Sequence, residues 1–127
     1  MIEFMLDTDS CIYLINRHPK MQRKAPPNAC GISVIVLGEL ERAALLSTRP
    51  EPTMEFINRI TPVDLTDDVA ECYANIRVTL EQQGNIIGPN DLWIAAHAAA
   101  MEVPLVTNNT KEFSRVTDLR IDNWLMT

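Results

Sequence analysis

The feature that most constrains this chain is a regular alternation of short apolar or β-branched runs with stretches of helical periodicity. The runs are Ile2–Leu6, Gly31–Val36, Pro62–Leu65, Pro104–Thr107 and Leu119–Ile121. Each is short enough for a strand and rich in residues that suit a pleated, buried surface. Between them lie helical signals. Thr8, Asp9 and Ser10 are candidate N-caps for Cys11–Ile15, and Leu37, Leu40 and Ala44 recur at spacings of three and four. Pro50 and Pro52 open a helix that ends near Ile60. Thr66 caps a long one with Val69, Cys72, Tyr73, Ile76 and Leu80 on one face, and Pro89 starts another whose stripe is Leu92, Ala95, Ala96 and Ala99. Strands alternating with helices predict an α/β fold: a parallel sheet of about five strands sandwiched between helices. Such sheets bind ligands at the carboxyl ends of their strands, where the strand order reverses.

A length of 127 residues with 46% hydrophobic content predicts a single domain over 1–127 with an ordinary core. No run approaches the roughly 18 apolar residues of a membrane span, and acids stand where a secretory leader would carry basic residues. A cytoplasmic protein is expected. Cys11, Cys30 and Cys72 are odd in number and show no CxxC spacing, so reduced, mostly buried thiols are expected instead of disulfides or a zinc site. The net charge of −6 is unfavourable for binding a polyanion. Two explanations stay open: acids gathered around a cation, or a basic partner docked on an acidic face.

Four acids fall at strand ends or near helix starts. Asp7 ends the first run, Glu39 is placed in the first turn of the helix after the second, Asp91 in the first turn before the fourth, and Glu112 just beyond it. Any one of them alone reads as an acid that stabilises a helix dipole by ~0.3–1 kcal/mol. As a convergent set they are costly. Two carboxylates about 4 Å apart repel by ~4 kcal/mol at an effective dielectric near 20. A divalent cation removes that cost, and an all-oxygen donor set suits Mg²⁺ or Mn²⁺, which activate water for phosphodiester hydrolysis.

The blocks Met5-Leu6-Asp7-Thr8, Ile32-Ser33-Val34-Ile35-Val36-Leu37-Gly38-Glu39-Leu40-Glu41, Gly88-Pro89-Asn90-Asp91-Leu92-Trp93-Ile94-Ala95-Ala96-His97-Ala98 and Val106-Thr107-Asn108-Asn109-Thr110-Lys111-Glu112-Phe113 resemble, in order and spacing, those of VapC-type PIN domains. The closing Arg120-Ile121-Asp122-Asn123-Trp124 extends the resemblance to the end of the chain. The resemblance implies a Mg²⁺- or Mn²⁺-dependent endoribonuclease, the toxin of a toxin–antitoxin pair, with structured RNA such as tRNA as target. It also implies a VapB-like antitoxin that silences the enzyme, and a homodimer. Asp7, Glu39 and Asp91 match the family's metal-binding acids. Many relatives carry an aspartate where Asn109 stands here, so Glu112 is expected to serve as the fourth acid. Asp9 stands where asparagine is more usual and is expected to cap the following helix.

Thr8, Ser33 and Asn109 are candidates to hydrogen-bond waters around a metal. His97 is expected to be structural, and Trp93 and Trp124 to serve packing or interfaces. The acids are also compatible with other chemistry. Asp7-Thr8-Asp9 after a strand is similar to the nucleophile motif of dehalogenase-type phosphatases, with Asp67-Asp68 as a second acid pair. A receiver-like domain would use Asp64 and Lys111, and a PIN domain can act as a binding module without catalysis.

Overall fold

The computed structural model describes residues 1–126. β1 (Phe4–Leu6) runs into α1 (Thr8–Ile15), and a 3-10 turn at Pro27–Ala29 leads to β2 (Cys30–Ser33) and α2 (Val34–Leu46). Then come α3 (Glu51–Arg59), β3 (Thr61–Val63), α4 (Asp67–Gln83) and α5 (Pro89–Met101). β4 (Leu105–Val106), the single turn α6 (Thr110–Phe113) and β5 (Ile121–Asp122) complete the chain. The five strands form one parallel sheet in the order β3-β2-β1-β4-β5. The chain moves outward from β1 to β3, then returns to the other flank of β1. The order therefore reverses between β1 and β4, and a crevice opens beyond their carboxyl ends.

Local chemistry explains the sheet. Met5 pairs with Gly31 on one side and Leu105 on the other. A Cβ on Gly31 would lie 3.0 Å from Met5 Sδ and 3.1 Å from side-chain carbons of Ile2 and Val63, so a larger residue would require those side chains to shift by a few tenths of an ångström. Pro62, which lacks an N–H, is tolerated because β3 is an edge strand.

The second run is shorter than its β-branched composition predicts. The strand stops at Ser33, whose hydroxyl accepts a hydrogen bond from the Ile35 N–H at 3.1 Å and caps α2. Val34, Ile35 and Val36 are therefore helical, because the cap and the core beneath outweigh their strand preference. Glu39 is the sixth residue of α2 and stands in its second turn, not the first. The cap of α1 also differs from expectation. Asp7 itself accepts from the Ser10 N–H at 2.8 Å, while Asp9 lies exposed in the first turn.

α5 is buried almost all round, not along one stripe. Leu92, Ile94, Ala95, Ala96, His97 and Ala98 are all buried, because the helix passes between α4, α2 and the sheet. Its alanines permit that close approach. His97 is 1% exposed, and its ring nitrogens make no well-formed hydrogen bond among the described residues, with the Asp64 backbone the polar group nearest to serving as a partner. Burial pushes its pKa down, which keeps the ring neutral.

The chain end is laced to the segment after α1. Met21 and Leu125 form an antiparallel bridge, the Gln22 N–H donates to Trp124 O at 2.8 Å, and the Met126 N–H donates to Lys20 O at 2.7 Å. Trp124 is buried edge-on against Phe4, 5.3 Å between ring centroids. All three cysteines are free.

Candidate active site

Asp7 is 4% exposed and sits at the mouth of the crevice, where β1 becomes α1. Burial raises its pKa, and hydrogen bonds from Thr107 and Ser10 pull partly the other way. Thr107 lies just past β4 and is fully buried; its hydroxyl also accepts from the Asn109 N–H at 3.0 Å. The Ser10 hydroxyl donates to Val106 O at 3.0 Å and ties α1 to the neighbouring strand. Asp7 is thus a rigid, buried carboxylate fixed by β1, α1 and the end of β4.

The other acids come from different elements. Glu39 reaches across from α2, and the Thr8 hydroxyl donates to its Oε1 at 2.6 Å. Asp91 is the third residue of α5, and Glu112 lies in the single turn α6. The Gly88 N–H donates to Glu112 Oε1 at 3.1 Å, and the Asn109 amide donates to Glu112 Oε2 at 2.5 Å. A methyl group on Gly88 would stand 3.8 Å from Asp91 Oδ2 and 3.9 Å from Glu112 Oε1, so the two carboxyls face the same small volume.

The electrostatics show that these acids sense one another. The Asp91 pKa is pushed up to about 7, first by burial, then by the charge and hydrogen bond of Glu112, then by Asp7 and Glu39. Around neutral pH Asp91 thus still carries part of a proton that an ordinary aspartate loses near pH 4.

The four carboxylates expected from sequence are gathered at one crevice, but they are not closed into a ready-made cage. Among the described residues no group of three or more His, Cys, Asp or Glu side chains stands at metal-holding separation. Glu39 and Glu112 are turned instead toward their hydrogen-bond donors. The donor set fits a hard divalent cation: it is all oxygen and carries an excess negative charge that the protein relieves by holding a proton.

The expected supporting residues divide. Thr8 and Asn109 hold two of the acids directly, whereas the Ser33 hydroxyl is used in capping α2. Thr107 and the Gly88 amide do not stand out in the sequence. Their only signal is adjacency to the acidic blocks. Trp93 stacks on Tyr73 at 3.8 Å and Trp124 packs in the core, as packing residues do. Asp64, Asp67 and Asp68 lie exposed around the end of the edge strand β3, with β2 between that strand and the one ending at Asp7. A phosphatase-like or receiver-like pairing with Asp7 therefore has no shared site.

The PIN domain family profile matches residues 4–119. The chain is similar to Ribonuclease VapC2 of Rickettsia felis, 41% identical over 95% of this chain and 97% of that protein. It is also similar to the tRNA(fMet)-specific endonuclease VapC of Shigella flexneri, 38% identical over 98% of this chain and 99% of the relative. Among solved structures it resembles VapBC2 from Rickettsia felis bound to a DNA fragment from its promoter. There the TM-score is 0.81, with 36% identity over 98% of this chain and 99% of that one.

Proposed function

This chain belongs to the PIN domain family, and on that premise we propose that it is an endoribonuclease acting as the toxin of a toxin–antitoxin pair, with Mg²⁺ or Mn²⁺ held by Asp7, Glu39, Asp91 and Glu112. The observation that carries the reading is the crevice at the reversal of strand order. There burial first, and then Glu112, Asp7 and Glu39, push the Asp91 pKa up to about 7. A full-length relative named for cleaving tRNA(fMet) supports RNA, and tRNA in particular, as substrate.

Each residue has a definable part. Asp7, fixed by its cap and by Thr107, is the rigid carboxylate that sets the cation's place. Asp91 would give up its proton where a cation is held. Thr8 orients Glu39, and Asn109 with the Gly88 amide holds Glu112 at the rim. When bound, the cation supplies Lewis acidity at the phosphate and a more acidic water. Because water is the nucleophile and not the ribose 2′-hydroxyl, cleavage leaves a 5′-phosphate and a 3′-hydroxyl.

A VapB-like antitoxin is the partner, supported by the related VapBC assembly. An acidic crevice of this kind accepts an Arg or Lys side chain in place of the cation. A homodimer and a cytoplasmic setting accompany this reading; among the described residues no helix is long and apolar enough to cross a membrane. The test is cleavage of end-labelled tRNA by purified protein with Mg²⁺, Mn²⁺ or EDTA, with the product ends mapped. Undiminished cleavage in EDTA, or 2′,3′-cyclic phosphate ends, overturns the mechanism.

A further inference from the structure

A polyanion on a protein of net charge −6 needs a local positive anchor, and the structure contains one away from the acids. The ion pairs among the described residues are Lys24–Asp122 and Arg77–Glu81, while Arg115 and Arg120 donate to the backbone carbonyls of Ile86 and Glu102. Of the remaining cations, Arg17, Arg23 and Arg59 line a single groove of about 450 Å³ between the end of α1 and α3. Their guanidinium groups are exposed and have no hydrogen-bond acceptor or ion-pair partner among the described residues. The rest of the wall is Leu14, Ile15, Pro27, Pro52, Phe56 and Ile60, with Glu55 the one acid, so three cations stand against one anion around a partly apolar groove.

Two further observations show that the groove is built. Arg17 stands at φ +53°, a left-handed conformation that glycine or asparagine would adopt at lower cost. The backbone is held there by the turn that ends α1, with the His18 N–H donating to Tyr13 O at 2.9 Å. Arg23 lies in the segment laced to the chain end through Gln22 and Trp124. Neither arginine swings on a free loop.

We propose that Arg17, Arg23 and Arg59 form a phosphate-binding site that anchors the RNA backbone outside the acidic crevice. The inference rests on the ribonuclease reading for its ligand. Asp7 caps the start of α1 and Arg17 follows its end, so a helix rise of ~1.5 Å per residue sets the two sites on the order of 12 Å apart. The anchor places the strand while the acids, which repel phosphate, receive it only where a cation is bound.

The test uses the full chain and a fluorescein-labelled 12-nucleotide single-stranded RNA in EDTA, read by anisotropy across a salt series. The triple variant R17Q/R23Q/R59Q should weaken binding on the order of 10- to 100-fold at 0.1 M salt. It should also reduce the slope of log K against log salt by about 2, as loss of about three phosphate contacts requires. The triple lysine variant should retain most of the binding, and R42Q should match the unchanged protein. Melting temperatures of all variants confirm folding. With Mg²⁺, the triple glutamine variant should show a raised KM and an unchanged kcat.

The proposal is overturned if the triple variant binds within about twofold with the same salt slope, or if the unchanged protein does not bind the RNA. It also falls if polyglutamate binds through these arginines while RNA does not, which would assign the groove to an acidic protein segment. RNA bound through the arginines but not cut with either Mg²⁺ or Mn²⁺ would sink the ribonuclease reading and leave the groove standing. Normal cleavage with an unaltered KM in the triple variant would do the reverse.

Discussion

Replacing Asp91 with asparagine should stabilise the metal-free protein while abolishing cleavage. In the folded chain the Asp91 carboxyl gives up its proton at about 7 instead of the ordinary 3.8. That difference corresponds to at most about 4 kcal/mol at a pH above both values. Asp91 is only half-buried, and water and side-chain relaxation screen part of the effect, so about 1–2 kcal/mol is the realistic penalty. Below pH 4 the carboxyl is protonated in both folded and unfolded chains, and the penalty is absent. Between pH 4 and 7 the unfolded chain releases the proton and the folded chain retains it, so stability falls until the folded group also ionises. An asparagine side chain at this position cannot ionise and escapes the loss. Differential scanning fluorimetry in EDTA should place Asp91→Asn about 3–8 °C above the unchanged protein at pH 8, with the gap closing toward pH 4. Cleavage should drop by more than about 100-fold, beyond the usual cost of losing an outer-shell partner of a metal. A variant that melts lower at pH 8, or a gap independent of pH, would refute the reasoning.

The other expectations follow from the same geometry. Asp7→Asn can still cap α1, so it should melt within a few degrees of the parent at neutral pH yet lose cleavage, as paired activity and melting measurements would show. Asp9→Asn, exposed and outside the cap, should cleave within about twofold of the parent under the same assay. Glu112→Gln can still accept the Gly88 N–H, so cleavage should fall by roughly tenfold, less than for the other three acids; it should also lower the pH at which Asp91 ionises, visible by NMR titration. Because Asp91 must release a proton to take a cation, Mg²⁺ affinity measured by calorimetry should rise about tenfold per pH unit below about 7 and level off above it.

Element order is readable from the sequence because each strand is a short apolar run closed by a turn residue or cap. Boundaries are less so where capping and composition conflict. Val34, Ile35 and Val36 favour a strand by composition, yet Ser33 at the sheet's edge turns them into a helix, a choice that depends on where the neighbouring strands end. The same limit applies to Asp7. The sequence points to its neighbours as the cap, since any of Thr8, Asp9 and Ser10 could start α1. The four acids are legible because carboxylates are conspicuous at strand ends. Thr107, the Gly88 amide and the three arginines are not. A buried hydroxyl, a backbone N–H and exposed cations far apart in sequence acquire meaning only when folding brings them together.

The central position of β1 also governs the order in which the protein is made. The first strand of the sheet to leave the ribosome runs directly into Asp7, but its partner β4 and the acids Asp91 and Glu112 emerge only after β3 and α4. At about 5–20 residues per second, Asp7 waits roughly 5–20 s for Glu112 to be synthesised. During that interval the nascent chain carries one flank of the crevice without the other. A crevice divided in this way closes only after β4 has been made, and a message broken upstream of β4 yields a chain that lacks Glu112 and one wall of the crevice.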